Sequence, residues 1–494
     1  MVMHLLERFP PSGIQPDWGT DRFDSLAWHW GEPEPELANT TDLLRLSEHE
    51  LTKMKRAHMG FVGALHNRLP RYVPHRYDDN TDGKNVVQSD SPRRGIVTVG
   101  GGKYYVILAV SLRFLRRSGT TLPIEVFVTE SEYEQKVCED VLPKLNAVCR
   151  VYPKMVDSKG KEKKVEGFQL KAFAMLFSSF DEVLYMDADN TAMQDVAPLF
   201  DSAPFRATGL VTWPDFWQTT VSPLYYDIAS KNLELKTTPP PIMGRPSTES
   251  GQILVDKTRH WKTLLLAAYY NYYGPPFYYR LLNQGGTGMG DKETFLPAAA
   301  VFGLPAYQVH TPVEKVGHRF EDDSTGSRVM IQHDAGEDWE VTATLTNSLA
   351  NSGSPPANEA EWKALYRDVR PVFLHLSWPK WDPTNLLGHV SKWSDMTMGI
   401  DGRPESAFHH PPELAVRIKG TERMLWEEAR WVACLRDGKG EHVFGHYCNN
   451  KQADRACERL RGHFANVLDG DTGKMIGLGP EDVLYPAVRE VEGE

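Results

Sequence analysis

Asp187 and Asp189 stand one residue apart at the end of GFQLKAFAMLFSSFDEVLYMDADN, residues 167–190. The preceding letters read as an amphipathic helix, a polar turn at Ser178 and Ser179, and a buried strand from Glu182 to Met186. Where a strand gives way to a loop, two such carboxylates can turn toward one ion, and open α/β sheets place ligands at the carboxyl ends of their strands. Carboxylates suit a hard cation, Mg²⁺ or Mn²⁺, whose other faces would hold phosphate oxygens. The expected chemistry is metal-assisted handling of a phosphorylated donor. The same D-x-D letters also arise in turns that bind nothing, so the pair needs its surroundings.

Other residues join it. Gly100-Gly101-Gly102-Lys103 follows a β-branched strand, Gly95 to Val99, and opens a helical stretch from Tyr105 to Arg117, where backbone N–H groups can approach a ligand. Lys103 is followed by Tyr104 and the spacing is wrong for a P-loop. The G-x-G-x-x-G pattern is also missing, which disfavours a nicotinamide cofactor. Lys171, beside the apolar face marked by Leu170, Phe173, Ala174 and Phe177, is within reach of a pyrophosphate; a solvated helix lysine is the plainer alternative. Trp213, Asp215 and Trp217 suit a sugar ring or ordinary packing. In TESGQILVD, a loop into a strand, Glu249 stands at the mouth with Gln252 behind it, and Gly-rich LLNQGGTGMGDKETF carries Asp291 and Lys292 toward a helix start. His375 ends an apolar run, Val372 to Leu376, ahead of Trp378-Pro379-Lys380.

Around these, the chain reads as three parts. Residues 1–94 are an irregular arm with a helix from Thr41 to Leu69, capped by Thr41 or Asp42, and a polar linker. Residues 95–400 form the catalytic body, opening as a βαβ unit with a second strand at Ile124 to Thr129 and a third at Ala147 to Val151. Within it, 321–360 reads as a surface insertion containing a strand, Val329 to Gln332. Residues 401–494 are a helical extension with Ala453, Cys457, Leu460 and Phe464 on one face.

The 494 residues are 41% hydrophobic and 24% charged, ordinary for a packed core. A net charge of −11 argues against a nucleic-acid partner, whose phosphates demand a basic surface. With no apolar run of about 18 residues, no transmembrane helix is expected. MVMHLLERFPPSG lacks the apolar core and cleavage site of a signal peptide. Cys138, Cys149, Cys434, Cys448 and Cys457 show no C-x-x-C spacing, which argues against a zinc site; the last three permit one disulfide with a thiol left over. The triplet Asn39-Thr40-Thr41 fits a glycosylated, lumenal chain and also arises by chance.

GIVTVGGGKYYVILAVSLRFLRRSGTTLPIEVFV, FQLKAFAMLFSSFDEVLYMDADN, LVTWPDFW, ESGQILVDKTRHWKTLLLA, GMGDKETFLPAA and, more loosely, HLSWPKWDP occur in that order across roughly residues 95–385. Together they resemble glycosyltransferase family 71, the fungal α-mannosyltransferases. The resemblance implies an α/β fold of GT-A type, Rossmann-like, of the nucleotide-diphospho-sugar transferases, with an N-terminal helical arm and C-terminal helical extension. It implies GDP-mannose as donor, a mannose-containing glycan as acceptor, retention of configuration, a Mn²⁺ or Mg²⁺ ion, and residence in the Golgi. Members usually carry an N-terminal membrane anchor and stem that this sequence does not show.

By the same resemblance Asp187, Asp189 and His375 would hold the ion, and Gly100 to Lys103 with Lys171 the nucleotide diphosphate. Trp213, Asp215, Trp217, Gln252 and Lys292 would face sugar and acceptor, while Glu249 and Asp291 would orient the acceptor hydroxyl or shield the cationic sugar. Three alternatives stand beside this reading: a transferase using UDP-glucose or UDP-galactose, a glycoside hydrolase with Glu249 and Asp291 as its carboxylate pair, and a non-catalytic carbohydrate-binding descendant.

Overall fold

The computed structural model describes residues 2–11, 43–67, 93–229, 246–383, 403–444 and 450–468, apart from 158, 321–323, 327, 352, 355, 357 and 379. Eleven strands are present among them. They are β1 (Arg94–Val99), β2 (Ile124–Val128), β3 (Ala147–Val151), β4 (Glu182–Met186), β5 (Asn190–Ala192) and β6 (Leu210–Gln218). The chain continues through β7 (Pro246–Asp256), β8 (Tyr307–Gln308), β9 (Glu314–Val316), β10 (Arg328–His333) and β11 (Pro371–Trp378).

A seven-stranded sheet has the order β3-β2-β1-β4-β7-β6-β8, and a four-stranded sheet the order β5-β11-β10-β9. In the larger sheet β3, β2, β1 and β4 run parallel, β7 runs antiparallel to β4, and β6 pairs antiparallel with β7. A Rossmann-like parallel half continued by an antiparallel half is the GT-A arrangement. Alternation along these strands sorts their side chains onto two cores, because successive residues face opposite sides of a sheet. Ile96, Leu184 and Leu254 join one core; Val97, Val183, Tyr185, Ile253 and Val255 join the other.

The two chain ends cover opposite faces. The helix Glu48–Asn67 packs on the helix Lys257–Tyr272, with Phe61 stacked on Tyr269 at 4.3 Å. Its start is a capping box at Ser47 and Glu50, the Ser47 hydroxyl donating to the Glu50 carboxylate at 2.8 Å; Thr41, Asp42 and the Asn39 triplet lie outside the described residues. On the other face the helix Thr421–Cys434 packs against the helix Tyr104–Arg117, where the Arg113 guanidinium donates to Glu428 at 2.5 Å, both side chains buried. Removing one partner of such a pair costs about 3–5 kcal/mol, since the other is left charged and buried.

Two readings of the sequence need correcting. Residues 321–360 are not a surface insertion throughout: β10 is an inner strand of the four-stranded sheet, its Val329 and Ile331 fully buried between β9 and β11. The cysteines form two disulfides, the unexpected Cys138–Cys149 across 11 residues and Cys434–Cys457 across 23, the latter being the C-terminal bridge that the spacing permits. The first was missed because the two cysteines sit in different elements, one in the segment Lys136–Val141 and one in β3. Among the described residues no helix is long and apolar enough to cross a membrane.

Candidate active site

The two sheets meet at Asp187-Ala188-Asp189. β4 belongs to the larger sheet and ends at Met186, and β5 begins the smaller one at Asn190, so the acidic pair is the link between them. The backbone fixes both residues. Asp187 N–H donates to the Gly251 carbonyl at 2.8 Å, Leu376 N–H donates to the Asp189 carbonyl at 2.8 Å, and Asn190 pairs with His375 across β5 and β11. That pairing brings His375 to the carboxylates: Asp187, Asp189 and His375 offer ligand atoms all within 4.8 Å of one another.

The triad opens into a cleft of about 1080 Å³. Its walls include Val99 and Gly100 from the end of β1, Lys171, Asp215 to Trp217 from β6, Glu249 and Ser250 from β7, and Asp291 and Lys292. The smaller sheet adds Lys315, Met330, His375 and Ser377.

His375 is almost wholly buried between two carboxylates, its Nε2 3.3 Å from Asp189 Oδ1 and its Nδ1 3.2 Å from Glu249 Oε1. Burial opposes its charge, but Glu249 and Asp189 raise its pKa well above the ordinary value. Burial also works against the Asp189 charge, yet His375 and Lys380 hold that carboxyl well below the usual range. The Nδ1 contact lacks hydrogen-bond alignment, and Nδ1 is a buried nitrogen with no aligned partner. A Cβ built on Gly251 would come within 2.6 Å of the imidazole, so the ring fills a cradle that only glycine leaves open. Two carboxylates and one imidazole of this geometry fit a divalent cation, with the Glu249 carboxylate 3.2 Å from the other nitrogen of the imidazole.

Lys171 is no solvated lysine. Its ammonium, on the helix Gln169–Phe177, sits 3.2 Å from Asp187 Oδ2 and 3.0 Å from Asp291 Oδ2, and donates to the Ser250 carbonyl at 2.7 Å and hydroxyl at 3.0 Å. Burial disfavours its charge and the carboxylates of Asp187, Asp291 and Glu249 more than restore it, so its pKa is raised. With its three protons committed, Lys171 braces Asp187 rather than reaching for a pyrophosphate. The Tyr185 hydroxyl completes the brace, donating to Asp187 Oδ1 at 2.8 Å. Asp291, buried beside Lys171, has its carboxyl pKa pushed up by burial.

Other expected residues fall on either side of the cleft wall. Lys292 lines it, its ammonium 2.9 Å from Asp215 and donating to the Thr287 carbonyl at 2.8 Å. Trp217 lines it too, but Trp213 does not: its ring is fully buried, edge-on to Phe373 at 5.2 Å, and its indole N–H donates to the His333 carbonyl at 2.8 Å. Four residues apart, the two would share a face of a regular strand, but the register of β6 against β7 shifts between Pro214 and Gln218, and Trp213 turns into the core. Gln252 is likewise buried behind the site, accepting from the Asn190 side chain at 2.5 Å. Of the glycine loop only Gly100 borders the cleft; Gly101 and Gly102 face Glu132, and Lys103 lies over the Tyr104 ring.

Sequence reasoning passed over Lys380, whose ammonium binds Asp189 at the cleft while its side chain stays 40% exposed. Its signal was present in Trp378-Pro379-Lys380, five residues past His375. Phe168, 61% exposed on the rim ahead of the helix Gln169–Phe177, was also missed.

Known proteins place the chain. Residues 93–334 match the family described as "Mannosyltransferase putative". Alpha-1,2-mannosyltransferase MNN5 of Saccharomyces cerevisiae is 30% identical over 483 residues, covering 86% of this chain and 79% of that protein. The chain belongs to glycosyltransferase family 71. Alpha-1,2-mannosyltransferase MNN2 of the same yeast is 33% identical over 422 residues, covering 74% of this chain and 68% of that one. Among solved structures, the bifunctional glycosyltransferase WbbM aligns with a TM-score of 0.37 at 12% identity, over 70% of this chain and 53% of that one. Membership makes the chain a glycosyltransferase, and the readings as a hydrolase or a non-catalytic binding protein fall away.

Proposed function

We propose that this enzyme moves mannose from GDP-mannose to a mannose-containing glycan, with retention of configuration and the α-1,2 linkage named for its relatives, in the Golgi lumen. The observation that carries the proposal is the convergence of Asp187, Asp189 and His375 at the floor of an open cleft. The cleft volume, at the upper end of the range for ligand pockets, leaves room for donor and acceptor together. Two disulfides suit an oxidising secretory compartment.

Asp187, Asp189 and His375 would hold Mn²⁺ or Mg²⁺, which when bound supplies Lewis-acid stabilisation of charge on the leaving diphosphate. Lys171 and Tyr185 keep Asp187 pointed into the cleft. Lys380, half-exposed on Asp189, adds a cationic group beside the diphosphate position. Trp217 and the Asp215–Lys292 pair, also in the cleft wall, would meet sugar ring faces and hydroxyls.

Glu249 has one oxygen engaged with His375 and the Gly251 N–H, while Oε2 is buried without a hydrogen-bond partner. The negative charge of this carboxylate, in a residue of the cleft wall, would steady positive charge on the sugar. The acceptor oxygen bonds to the anomeric carbon, the bond from that carbon to phosphate breaks, and the hydroxyl proton passes to the departing phosphate oxygen. Asp291, tied to Lys171, serves the site by fixing that lysine.

A transfer assay with an α-mannoside acceptor and Mn²⁺, offering GDP-mannose, UDP-glucose or UDP-galactose in turn, tests the proposal. Turnover with GDP-mannose that disappears on chelation supports it. Turnover confined to a UDP-sugar, or unchanged by chelator, overturns the donor or the metal assignment respectively.

A further inference from the structure

Away from the cleft, a second group of metal-ligating side chains comes together from distant parts of the chain: His318, Glu405 and His409, whose ligand atoms all lie within 4.8 Å of one another. None of the three lines the cleft. His318 Nδ1 is 3.3 Å from Glu405 Oε2, and His409 Nε2 is 3.3 Å from Glu405 Oε1. Neighbouring ligand atoms of a tetrahedral Zn²⁺ with bonds of about 2.0–2.1 Å fall roughly 3.3 Å apart, the distance each imidazole keeps from its own oxygen of Glu405.

The hydrogen atoms agree with that spacing. His409 Nδ1 lies 2.8 Å from the Ser406 carbonyl, an acceptor only, so Nδ1 carries the proton and Nε2 turns its lone pair toward the Glu405 carboxylate. Either a proton on Nε2 or a metal ion between them would join the two groups. The other partner of that nitrogen is the Arg319 N–H, at a long 3.3 Å. His318 is buried, and its Nε2 has no hydrogen-bond partner.

The scaffold holding these groups is fixed independently of them. Glu422 accepts from the N–H groups of Ala407 at 2.7 Å and Phe408 at 3.2 Å, locking the turn between Glu405 and His409. Gly317 and His410 exchange two backbone hydrogen bonds, at 2.9 and 3.0 Å, which dock that turn on the segment following β9. A site preorganised in this way loses little entropy when an ion enters.

We propose that His318, Glu405 and His409 bind a zinc ion, with water completing the shell on the side where Glu405 is exposed. Two imidazoles and one carboxylate select Zn²⁺ over the harder ions that suit the cleft. The ion pins the start of the C-terminal helical region to the end of β9, the strand whose Lys315 lines the cleft. Cysteine spacing gave no hint of it, and with about ninety residues between His318 and Glu405 no sequence motif would.

The test is elemental analysis of the full chain purified in zinc-supplemented buffer and desalted, alongside His409→Gln, Glu405→Gln and Asp189→Asn. About one equivalent of zinc in the wild type and in Asp189→Asn, falling at least tenfold in the other two, is the expected result. A strong chelator should then lower the melting temperature of the wild type and leave that of His409→Gln unchanged. Substoichiometric zinc in the wild type overturns the site, as does zinc kept by both His409→Gln and Glu405→Gln or lost only in Asp189→Asn. Glu405→Gln guards against misfolding of the histidine variant, since it keeps the size of the side chain.

Discussion

The larger sheet reaches the cleft mainly through the ends of its strands: Val99 at the end of β1, Asp187 just past β4, Glu249 and Ser250 in the first half of β7, Asp215 to Trp217 in the last half of β6. The smaller sheet reaches it through a face, with Lys315 from β9, Met330 from β10, and His375 and Ser377 from β11 standing side by side. In the first, function gathers where the hydrophobic pattern stops and the strand interiors serve packing, with Tyr185 of β4, which braces Asp187, as the exception. In the second, chemistry and packing share the same few residues: His375 lies between Leu374 and Leu376, both fully buried. A change in the smaller sheet should therefore disturb the site first, and a change under the larger sheet should disturb stability first.

Asp189, at the junction, gives the largest expected effect. Asp189→Asn keeps the shape but removes the charge that faces His375 and Lys380. Transfer should fall by at least the roughly 10²–10³-fold typical of removing one electrostatic group from an active site. Added Mn²⁺ should raise the melting temperature of the wild type and not of the variant. Full activity in Asp189→Asn would dissolve the distinction between junction and scaffold.

Gly251→Ala sharpens the same contrast from within the larger sheet. Gly251 is in β7, yet its missing Cβ makes room for the His375 imidazole, which a methyl group would meet at 2.6 Å from backbone-fixed positions. Displacing the ring should weaken Mn²⁺ binding by about 10–100-fold, the usual cost of disturbing a ligand's support. Titration calorimetry or Mn²⁺ paramagnetic resonance would measure it. Unchanged affinity would mean that the imidazole is not a ligand.

The contrast also explains what the sequence disclosed. β1 to β4 and the helix Gln169–Phe177 were legible because each is a short run whose apolar residues serve one purpose, and the acidic pair follows the run directly. The start of β7 reads as a loop because Ser247 to Ser250 are polar, although all four are buried and Thr248 and Glu249 pair with β6. The four-stranded sheet was harder still: its strands begin at residues 190, 314, 328 and 371, and the order of pairing has no trace in local periodicity. Trp213 and Gln252 share strand parity with the cleft-lining Trp217 and Ser250, and the register shifts between β6 and β7 that separate them leave no mark in the letters. Lys171 is buried among carboxylates while Lys380, to which the sequence reading gave no role, is the more exposed lysine on the acidic pair, and burial is a tertiary property.

The smallest effect concerns the scaffold alone. His58, on the helix Glu48–Asn67, and His260, on the helix Lys257–Tyr272, are buried, and burial draws the pKa of each down from 6.5 to about 4. Each is satisfied while neutral, His58 with the Tyr270 hydroxyl at 2.7 Å and His260 with the Thr208 carbonyl at 2.9 Å. Between pH 6.5 and 4 the unfolded chain binds protons that these native sites refuse, so stability falls as pH falls through that window and the contribution is complete above it. The loss is at most about 3 kcal/mol for each histidine. Chemical denaturation at pH 7 and pH 4.5 should show a smaller drop for His58→Gln than for wild type, because an amide can still bond Tyr270 and cannot titrate. Asp189→Asn should leave the slope due to these histidines as it is. If His58→Gln keeps the full acid dependence, the packing of the N-terminal helix does not hold that ring neutral, and the division between a cleft that acts and a scaffold that only holds is drawn in the wrong place.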